Sequence, residues 1–266
     1  MADLLQGKKQ FHLQTEPDDI GKYVILPGDP GRVPKIAAYL ENARQIAYNR
    51  EYNTYTGLLD GEPVSVVSTG IGGPSAAIAV EELVKCDAHT FIRIGTSGGI
   101  DLKVVGGDLL IASAAVRGDG TSKEYLPPDY PAAADFTVLK ALEAAAKELS
   151  QDEDGKRYHV GIIQSKDSFY GETNPETMPI AETLQNRWQA YVRCGCLTSE
   201  MEAAAIYSVA IARHVRAGAV LTALWNVERS NAGMSDPICN DSTRAIQCAV
   251  GAVKKLIAYD KGQLAL

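Results

Sequence analysis

The stretch TFIRIGTSGGI, residues 90–100, begins as an apolar, β-branched run and passes into glycines, with one arginine inside the run. Similar short runs occur at residues 23–26, 64–68, 108–112, 160–164 and 220–224. Runs of this length, bounded by glycine, proline and polar residues, are typical of buried β-strands. The sequence therefore predicts a strand at each of these places, with residues 90–94 as one of them.

Amphipathic segments alternate with the predicted strands. Pro74 suits a first helical turn before SAAIAVEELVKC, residues 75–86. Residues 134–149, 200–215 and roughly 242–259 carry apolar residues at three- and four-residue spacing, which predicts three more helices. The alternation is typical of an α/β fold with a mostly parallel or mixed sheet, in a single domain over residues 1–266. The polar stretch SQDEDGKR, residues 150–157, is predicted to be a solvated turn inside that domain.

The composition limits the classes of function. With 266 residues, 45% of them hydrophobic and 22% charged, the chain can bury one full core and is typical of a soluble globular protein. A formal net charge of −7 gives no general attraction for nucleic acid or for anionic membranes. The N-terminus is polar and no apolar run reaches membrane-spanning length, so we expect a cytoplasmic protein. Five cysteines without a CxxC pair indicate reduced, mostly buried thiols rather than a disulfide framework or a zinc cluster.

Glycines follow several predicted strands, in GDPGR (28–32), STGIGGPS (68–75) and RIGTSGGI (93–100). Such loops let backbone N–H groups approach an anion closely. The dinucleotide fingerprint fails because Ser75 stands where its third glycine belongs, and no Gly-Lys pair is followed by the serine or threonine of an ATP-binding loop. GTSGG (95–99) formally matches a hydrolase nucleophile elbow with Ser97, but the residues after it predict loop and strand instead of the required helix.

Three arginines lie near these glycines. Arg93 interrupts an apolar run, Arg32 ends GDPGR and Arg50 lies in YNREYNTY. A charge in a buried strand is costly without a partner, so Arg93 is either half of a structural ion pair or a ligand for an anion. Gly95 and Thr96, predicted to form a turn directly after the strand, favour the anion, because a guanidinium binds phosphate bidentately. Arg32 alone fits an ordinary helix start as well as a ligand.

Seven segments occur in an order and spacing that resemble the uridine phosphorylase branch of the nucleoside phosphorylase family: FHL (11–13), GDPGR, NREYNTYTG (49–57), STGIGGPS, RIGTSGG, DSFYG (167–171) and SEMEAAA (199–205). The resemblance covers nearly the whole chain. It implies a phosphorylase/hydrolase-like three-layer fold, with a central mixed sheet or distorted barrel flanked by helices. It also implies phosphate-dependent cleavage of nucleosides to a free base and (deoxy)ribose 1-phosphate, with inorganic phosphate as co-substrate and no required cofactor.

The resemblance also assigns residues to two substrates. The implied phosphate site consists of Gly28, Arg32, Arg93 and Thr96, completed by Arg50 of a neighbouring subunit. The implied ribose site consists of Glu202 on the 2′ and 3′ hydroxyls, Met201, Glu200, and His12 from across the same interface. The active site is then built by a dimer, within a ring-shaped hexamer. Without the resemblance, Ser199 and Glu202 read as a capping box at a helix start, Met201 as a core residue, and His12 and Arg50 as solvated side chains.

Two further sites follow from the resemblance. Glu51, Ile71 and Ser75 match positions that hold a monovalent cation such as potassium at the dimer interface. At the base, Phe169 is implied to stack on the ring, and Arg229 to be a basic residue of the base site.

The base loop departs from the family pattern. Glu172 stands where the family has a glutamine, and Thr177 (Asn174 in a second alignment) where it has an arginine, so two donors are lost. Uridine stays the first expected substrate. Because Glu172 can accept from a purine ring N–H, a purine nucleoside phosphorylase is the alternative. A nucleosidase and a non-catalytic nucleoside-binding protein are disfavoured, because neither needs three arginines for an anion.

Overall fold

A mixed ten-stranded sheet forms the centre of the computed structural model, which describes residues 8–151 and 157–266. The strands of the described residues are β1 (Tyr23–Pro27), β2 (Glu41–Asn49), β3 (Tyr52–Leu59), β4 (Glu62–Val67), β5 (Thr90–Gly99), β6 (Leu109–Gly118), β7 (Ala132–Ala133), β8 (Tyr158–Lys166), β9 (Thr198–Glu200) and β10 (Arg216–Asn226). Their helices are α1 (Val33–Ala37), α2 (Gly73–Lys85), α3 (Thr121–Tyr125), α4 (Phe136–Gln151), α5 (Phe169–Thr173), α6 (Ala181–Arg193), α7 (Ala203–Arg213), α8 (Val227–Asn231) and α9 (Thr243–Asp260). Residues 152–156 of the predicted turn, and the first seven of the polar N-terminal segment, lie outside the described residues.

Half of the sheet closes into a barrel. Strand β1 lies between β4 and β5 and is parallel to both, and β5 is also parallel to β10. From β10 the sheet continues through β6, β8 and β9 and returns to β5, which closes a ring of five strands. The antiparallel hairpin of β2 and β3 extends the sheet from β4 on the open side. The predicted mixed sheet with a distorted barrel is confirmed.

Two apolar clusters cover opposite faces of the sheet. One packs α2 and α7 against the strands, with Leu83, Phe91 and Tyr207 fully buried. The other packs α4 and α9 against the opposite face through residues such as Leu142 and Leu256. Burying an aliphatic or aromatic side chain of this size contributes about 1.5–3 kcal/mol to the free energy of folding. Each helical layer is therefore stabilised by packing its apolar side chains against the sheet. The predicted α/β fold with helices on both sides is confirmed.

The alanine-rich helix α7 is buried along most of its length, between α2 and the barrel. Its small side chains allow helix and sheet to approach closely, and they leave room for the Tyr207 hydroxyl to donate to the Ala112 carbonyl at 2.9 Å. The sequence predicted that this helix begins at residue 200. It begins instead at Ala203, because Glu200 still pairs in β9. The carboxylates of the SEME segment are therefore held at a strand end beside a helix start.

Strand β5 runs five residues past its predicted end. The glycines from Gly95 to Gly99 are not a turn, because they pair with β10 up to Asn226. A Cβ at Gly95 would lie 2.9 Å from Arg93 Nη2 and 2.9 Å from Leu221 Cδ2, so the glycine makes room for the arginine side chain. Ser97 lies in this strand, and its hydroxyl donates to the Thr222 carbonyl at 3.4 Å. The rejection of a nucleophile elbow is confirmed.

Two smaller predictions concern membranes and thiols. Within residues 8–151 and 157–266, no helix combines the length and the apolar character that crossing a bilayer requires. All five cysteines are free thiols, and Cys86, Cys196 and Cys248 are buried, as the sequence predicted. Burial raises the pKa of the Cys86 thiol to about 11 and that of the Cys196 thiol to about 12, which keeps both protonated.

Candidate active site

A cavity of about 1610 Å³ lies beyond the carboxyl ends of β1, β5 and β8. The carboxyl ends of parallel strands, as β1 and β5 are here, are where α/β proteins bind ligands. Residues from separate segments of the sequence meet there, and the predicted site residues among them are Gly28, Arg32, Glu51, Ile71, Arg93, Thr96, Phe169, Glu172, Glu200, Met201 and Glu202. The fold thus brings most of the predicted phosphate, ribose and base residues to one cavity.

Arg93 is the buried cation of the cavity, with 3% of its surface exposed. Its Nε donates to Glu200 Oε2 at 2.8 Å, and its Nη2 pairs with Glu202 Oε2. Burial alone would lower the pKa of Arg93, but Glu202 and Glu200 outweigh it and raise the pKa, so the guanidinium stays charged. Its Nη1 is buried and has no hydrogen-bond partner among the described residues. Arg93 is therefore both half of an ion pair and an unsatisfied donor in a cavity wall.

Glu200 positions Arg93 and has no free oxygen for a substrate. Its side chain is fully buried, and it accepts from Ser165 Oγ and from the backbone N–H groups of Glu202 and Ala203. A carboxylate with this many donors is held in one orientation, and it holds the guanidinium bound to it. Glu200 lines the cavity, but its carboxylate oxygens are engaged by Arg93, Ser165 and the backbone.

Glu202 lies at the first turn of α7 with its carboxylate in the cavity wall. Its Oε1 accepts from the Gly72 backbone N–H at 2.5 Å, and its Oε2 contacts Arg93. Burial raises the pKa of Glu202, while Arg93 opposes that shift. The predicted capping box is wrong, because Ser199 lies in β9 and the Glu202 side chain binds Gly72 and Arg93 instead. Met201 beside it is half-buried and lines the cavity.

A second guanidinium lies at the same end of the cavity. Arg32 follows the tight turn of GDPGR, in which Asp29 Oδ1 accepts from the Gly31 N–H at 2.8 Å. Burial lowers the pKa of Arg32; Asp29 raises it, and the like charge of Arg93 lowers it. When two cations are so close that each disfavours the charged form of the other, an anion between them stabilises both charges. With Gly28 and Thr96 on the same wall, this end of the cavity is suited to phosphate.

Another part of the cavity wall combines an aromatic ring with a polar cluster. Phe169 begins α5, whose first turn is capped by Ser168 Oγ accepting from the Gly171 N–H at 3.0 Å. Lys166, the last residue of β8, pairs with Glu172 Oε1 at 2.8 Å and donates to Ser199 Oγ at 2.6 Å. Its Nζ lies 5.9 Å from the centroid of the Phe169 ring. A flat, partly exposed ring beside donors and acceptors is suited to a nucleobase.

Lys166, Gln164 and Ser199 also line the cavity, and none of them is among the predicted site residues. Ser199 Oγ lies 2.5 Å from Gln164 Oε1 and 2.5 Å from Glu172 Oε1, so these residues form one hydrogen-bonded group with Lys166. A signal existed for Lys166, which ends a strand directly before DSFYG. Arg93, the cation that was recognised, likewise lies in a strand leading to the cavity. Gln164 carried no comparable signal, because it looks like an ordinary strand residue, and the sequence pattern around Ser199 predicted only a helix start.

Comparison with known proteins places this geometry in a family. Residues 22–257 match the model of the phosphorylase superfamily. The chain belongs to the phosphorylase superfamily. It is 48% identical to the uridine phosphorylase of Treponema pallidum (strain Nichols), over 94% of this chain and 95% of the relative. It is 36% identical to the uridine phosphorylase of Escherichia coli (strain K12), over 93% of this chain and 98% of the relative. It is 39% identical to the guanosine phosphorylase of Halorubrum lacusprofundi (strain ATCC 49239 / DSM 5036 / JCM 8891 / ACAM 34), over 84% of this chain and 86% of the relative.

Two predicted residues of this superfamily member lie together outside the cavity of their own chain. Arg50 is exposed at the turn between β2 and β3, with a positive φ of 54°. His12 is held by Glu82, which accepts from its backbone N–H at 3.0 Å and lies 2.7 Å from its Nδ1. Asn49 Nδ2 donates to the His12 carbonyl at 2.7 Å and so joins the two segments. Arg50 and His12 therefore belong to one surface region of this phosphorylase chain.

The residues predicted for a monovalent cation are brought together beside the cavity. Ser75 Oγ donates to Glu51 Oε1 at 2.7 Å, and this hydrogen bond is the main reason that the pKa of Glu51 is lowered. Ile71 is 78% exposed at the rim, next to the glycines of STGIGGPS. The Glu51 carboxylate is thus kept ionised near an exposed backbone loop.

Two residues predicted for the base are not brought to the cavity. Arg229 in α8 donates from Nε to the Ser235 carbonyl at 2.8 Å and from Nη1 to the Leu102 carbonyl at 2.5 Å. Thr177 is exposed, and its hydroxyl donates to the Asn174 carbonyl at 2.8 Å. Each side chain is engaged with backbone carbonyls, and neither is among the residues that line the cavity. Lys166, in contrast, lines the cavity beside the Phe169 ring.

Proposed function

We propose that this chain is a uridine phosphorylase, a pentosyltransferase that uses inorganic phosphate to cleave uridine into uracil and ribose 1-phosphate. The observation that carries the proposal is the buried Nη1 of Arg93, an unsatisfied donor that shares its end of the cavity with Arg32. An orphaned buried donor is costly, and phosphate oxygens at this point satisfy it. The relatives named uridine phosphorylase support the choice of substrate.

In the proposed reaction, phosphate lies under the anomeric carbon between Arg32 and Arg93. A phosphate oxygen forms a bond to C1′ while the bond from C1′ to the base nitrogen breaks, and the electron pair leaves with the base. The developing charge on the ribose is stabilised by the phosphate dianion, so no protein nucleophile and no metal is required. Glu202 accepts from the ribose 2′ and 3′ hydroxyls, which fixes the sugar above the phosphate. Met201 packs against the ribose and Phe169 stacks on the base.

We also propose that the active site is completed by a second subunit, in a dimer within a hexamer. The support is the joint position of Arg50 and His12 on one surface region, away from the cavity of their own chain. Mixing inactive Arg50→Ala with inactive Arg93→Ala chains, after dissociation and reassembly, should restore activity, because some mixed interfaces contain one intact site. Continued inactivity of a mixture whose mixed assembly is verified contradicts a shared site.

Phosphate is proposed as the single co-substrate, with no further cofactor. We also propose that a monovalent cation such as potassium binds between Glu51, Ile71 and Ser75 at the dimer interface. The lowered pKa of Glu51 supports this site. We expect higher activity in potassium than in tetramethylammonium salts. We also propose a cytoplasmic location, which the free thiols support and which fractionation of the source cells tests. A role in nucleoside salvage rests on the proposed reaction.

The decisive experiment is a substrate panel. Purified protein is incubated with uridine, thymidine, inosine and guanosine, with and without phosphate, while free base and pentose 1-phosphate are measured. Phosphate-dependent release of uracil is the expected result. Release of purine bases alone would favour the purine alternative, for which the guanosine phosphorylase relative is the supporting observation. Release of base without phosphate would instead indicate a nucleosidase.

A further inference from the structure

Lys166 and Glu172 form an ion pair on the cavity wall beside the Phe169 ring. The Lys166 Nζ to Glu172 Oε1 distance is 2.8 Å, and both side chains are mostly shielded, with 11% and 15% of their surfaces exposed. Both residues line the cavity, and so does Ser199, the second partner of the ammonium. The pair therefore has a fixed position at the end of the cavity where the base is proposed to lie.

Each member of the pair has unused hydrogen-bonding capacity. An ammonium group has three N–H donors, and Lys166 uses one on Glu172 and one on Ser199. Glu172 Oε1 is taken by Lys166 and Ser199, whereas Oε2 has no hydrogen-bond partner in the part of the chain that the structure describes. The cavity wall thus offers one donor and one acceptor side by side.

The polarity of this arrangement cannot be reversed. An ammonium only donates and an ionised carboxylate only accepts, whereas a glutamine amide can turn over and exchange its donor and acceptor. A base with a carbonyl next to a ring N–H, a lactam edge, matches the pair. A base with an amino group next to a bare ring nitrogen, an amidine edge, meets donor with donor and acceptor with acceptor.

We infer that Glu172, held in place by Lys166, is a specificity-determining residue that admits nucleosides with a lactam edge and rejects nucleosides with an amidine edge. The inference rests on the proposed phosphorolysis and deepens it. Uracil, thymine and 6-oxopurines belong to the first class, and cytosine and adenine to the second. Lys166 supplies the donor that the sequence lacks after the Phe169-Tyr170 pair, so the departure from the glutamine pattern preserves pairing with uracil and fixes its direction.

The test compares uridine with cytidine in wild-type protein and in Glu172→Gln. The glutamine can turn its amide toward the bare nitrogen of cytosine, so the ratio of kcat/KM for uridine to that for cytidine should fall by about tenfold or more. Glu176→Gln is the matched control, because Glu176 is an exposed carboxylate of the same cavity rim without contact to Lys166. The control should leave the ratio within about twofold of wild type.

The outcomes separate this inference from the proposed function. Absence of phosphate-dependent cleavage of any nucleoside by wild-type protein refutes the function. Wild-type cleavage of uridine together with a ratio that falls less than tenfold in Glu172→Gln, or equally in Glu176→Gln, overturns the role of Glu172. A measurement on wild-type protein removes dependence on the folding of the variant: 3-methyluracil, which lacks the ring N–H, should inhibit at least about tenfold more weakly than uracil. Equal inhibition by the two bases overturns the inference as well.

Discussion

Replacing Arg93 by alanine tests the anion site and the buried ion pair together. The substitution removes the guanidinium from two buried carboxylates, Glu200 and Glu202, and leaves them without their cation. Breaking a buried pair in this way costs about 3–5 kcal/mol of unfolding free energy. For a chain of this length each kcal/mol shifts the melting temperature by about 2–4 °C, so we expect a decrease of at least about 6 °C. Loss of the donor to phosphate should lower kcat/KM by about 100- to 1000-fold or more.

Arg32→Ala is the control that separates the two effects. Arg32 has no buried carboxylate of its own, since its neighbour Asp29 is engaged with the Gly31 backbone, so this variant should lose activity with little loss of stability. The assays are uracil release with phosphate at saturating uridine, and thermal unfolding followed by circular dichroism. A folded Arg93→Ala protein with phosphate-dependent turnover within tenfold of wild type refutes the assignment. An unchanged melting temperature refutes the ion-pair reasoning.

The stability loss in Arg93→Ala should depend on pH in a defined direction. Without the guanidinium, burial raises the pKa of Glu202 further above its unfolded value. A carboxyl whose pKa is raised by folding binds its proton more readily in the folded state, so stability increases as the pH falls through that raised pKa. The difference in melting temperature between variant and wild type should therefore shrink between neutral pH and mildly acidic pH. A difference that grows over that interval contradicts the sign.

Two further changes test the cavity wall. Lys166→Met should lower kcat for uridine by at least about tenfold, because the departing base loses its charged donor. The KM for phosphate should stay within about threefold of wild type. An unchanged kcat contradicts contact between Lys166 and the base. Gly95→Ala places a Cβ 2.9 Å from Arg93 Nη2 and should raise KM for phosphate. Gly21→Ala is the control, because its Cβ would lie 2.2 Å from a backbone oxygen far from the cavity. This control should lower the melting temperature without changing KM for phosphate. Equal effects of the two alanines on KM would show that Gly95 has no special role.

The strands of the fold were predictable where burial is continuous. Tyr23 to Leu26 and Thr90 to Ile94 are buried at every position, and each of the predicted apolar runs coincides with part of a strand. The β2–β3 hairpin was not predictable, because β2 alternates exposed and half-buried residues without an apolar period. Its pairing with β4 stabilises it, and such pairing depends on the tertiary structure and not on local sequence.

The candidate site was predictable in its residue types but not in its contacts. A buried arginine in a strand requires a partner, and the sequence left open whether that partner is a carboxylate or an anion. The structure provides carboxylates, contributed by a segment more than a hundred positions away along the chain, and leaves one donor atom unsatisfied. Lys166 was not predicted for a related reason. The family pattern has its base donors after Phe169 in the sequence, whereas Lys166 ends the strand that precedes Phe169.

The charges at the anion end of the cavity give the proposed shared site a physical reason. Glu200 and Glu202 both pair with Arg93, so the two arginines of a single chain present directed donors but little net positive charge to a phosphate dianion. Donor geometry alone binds a dianion weakly in competition with water, because its desolvation must be offset by opposite charge. In the shared site that we propose, Arg50 from a neighbouring subunit adds the missing cation without burying another charge inside the fold of either chain. Coupling of phosphate binding to assembly then follows from the same ion pairs that keep Arg93 charged and correctly oriented.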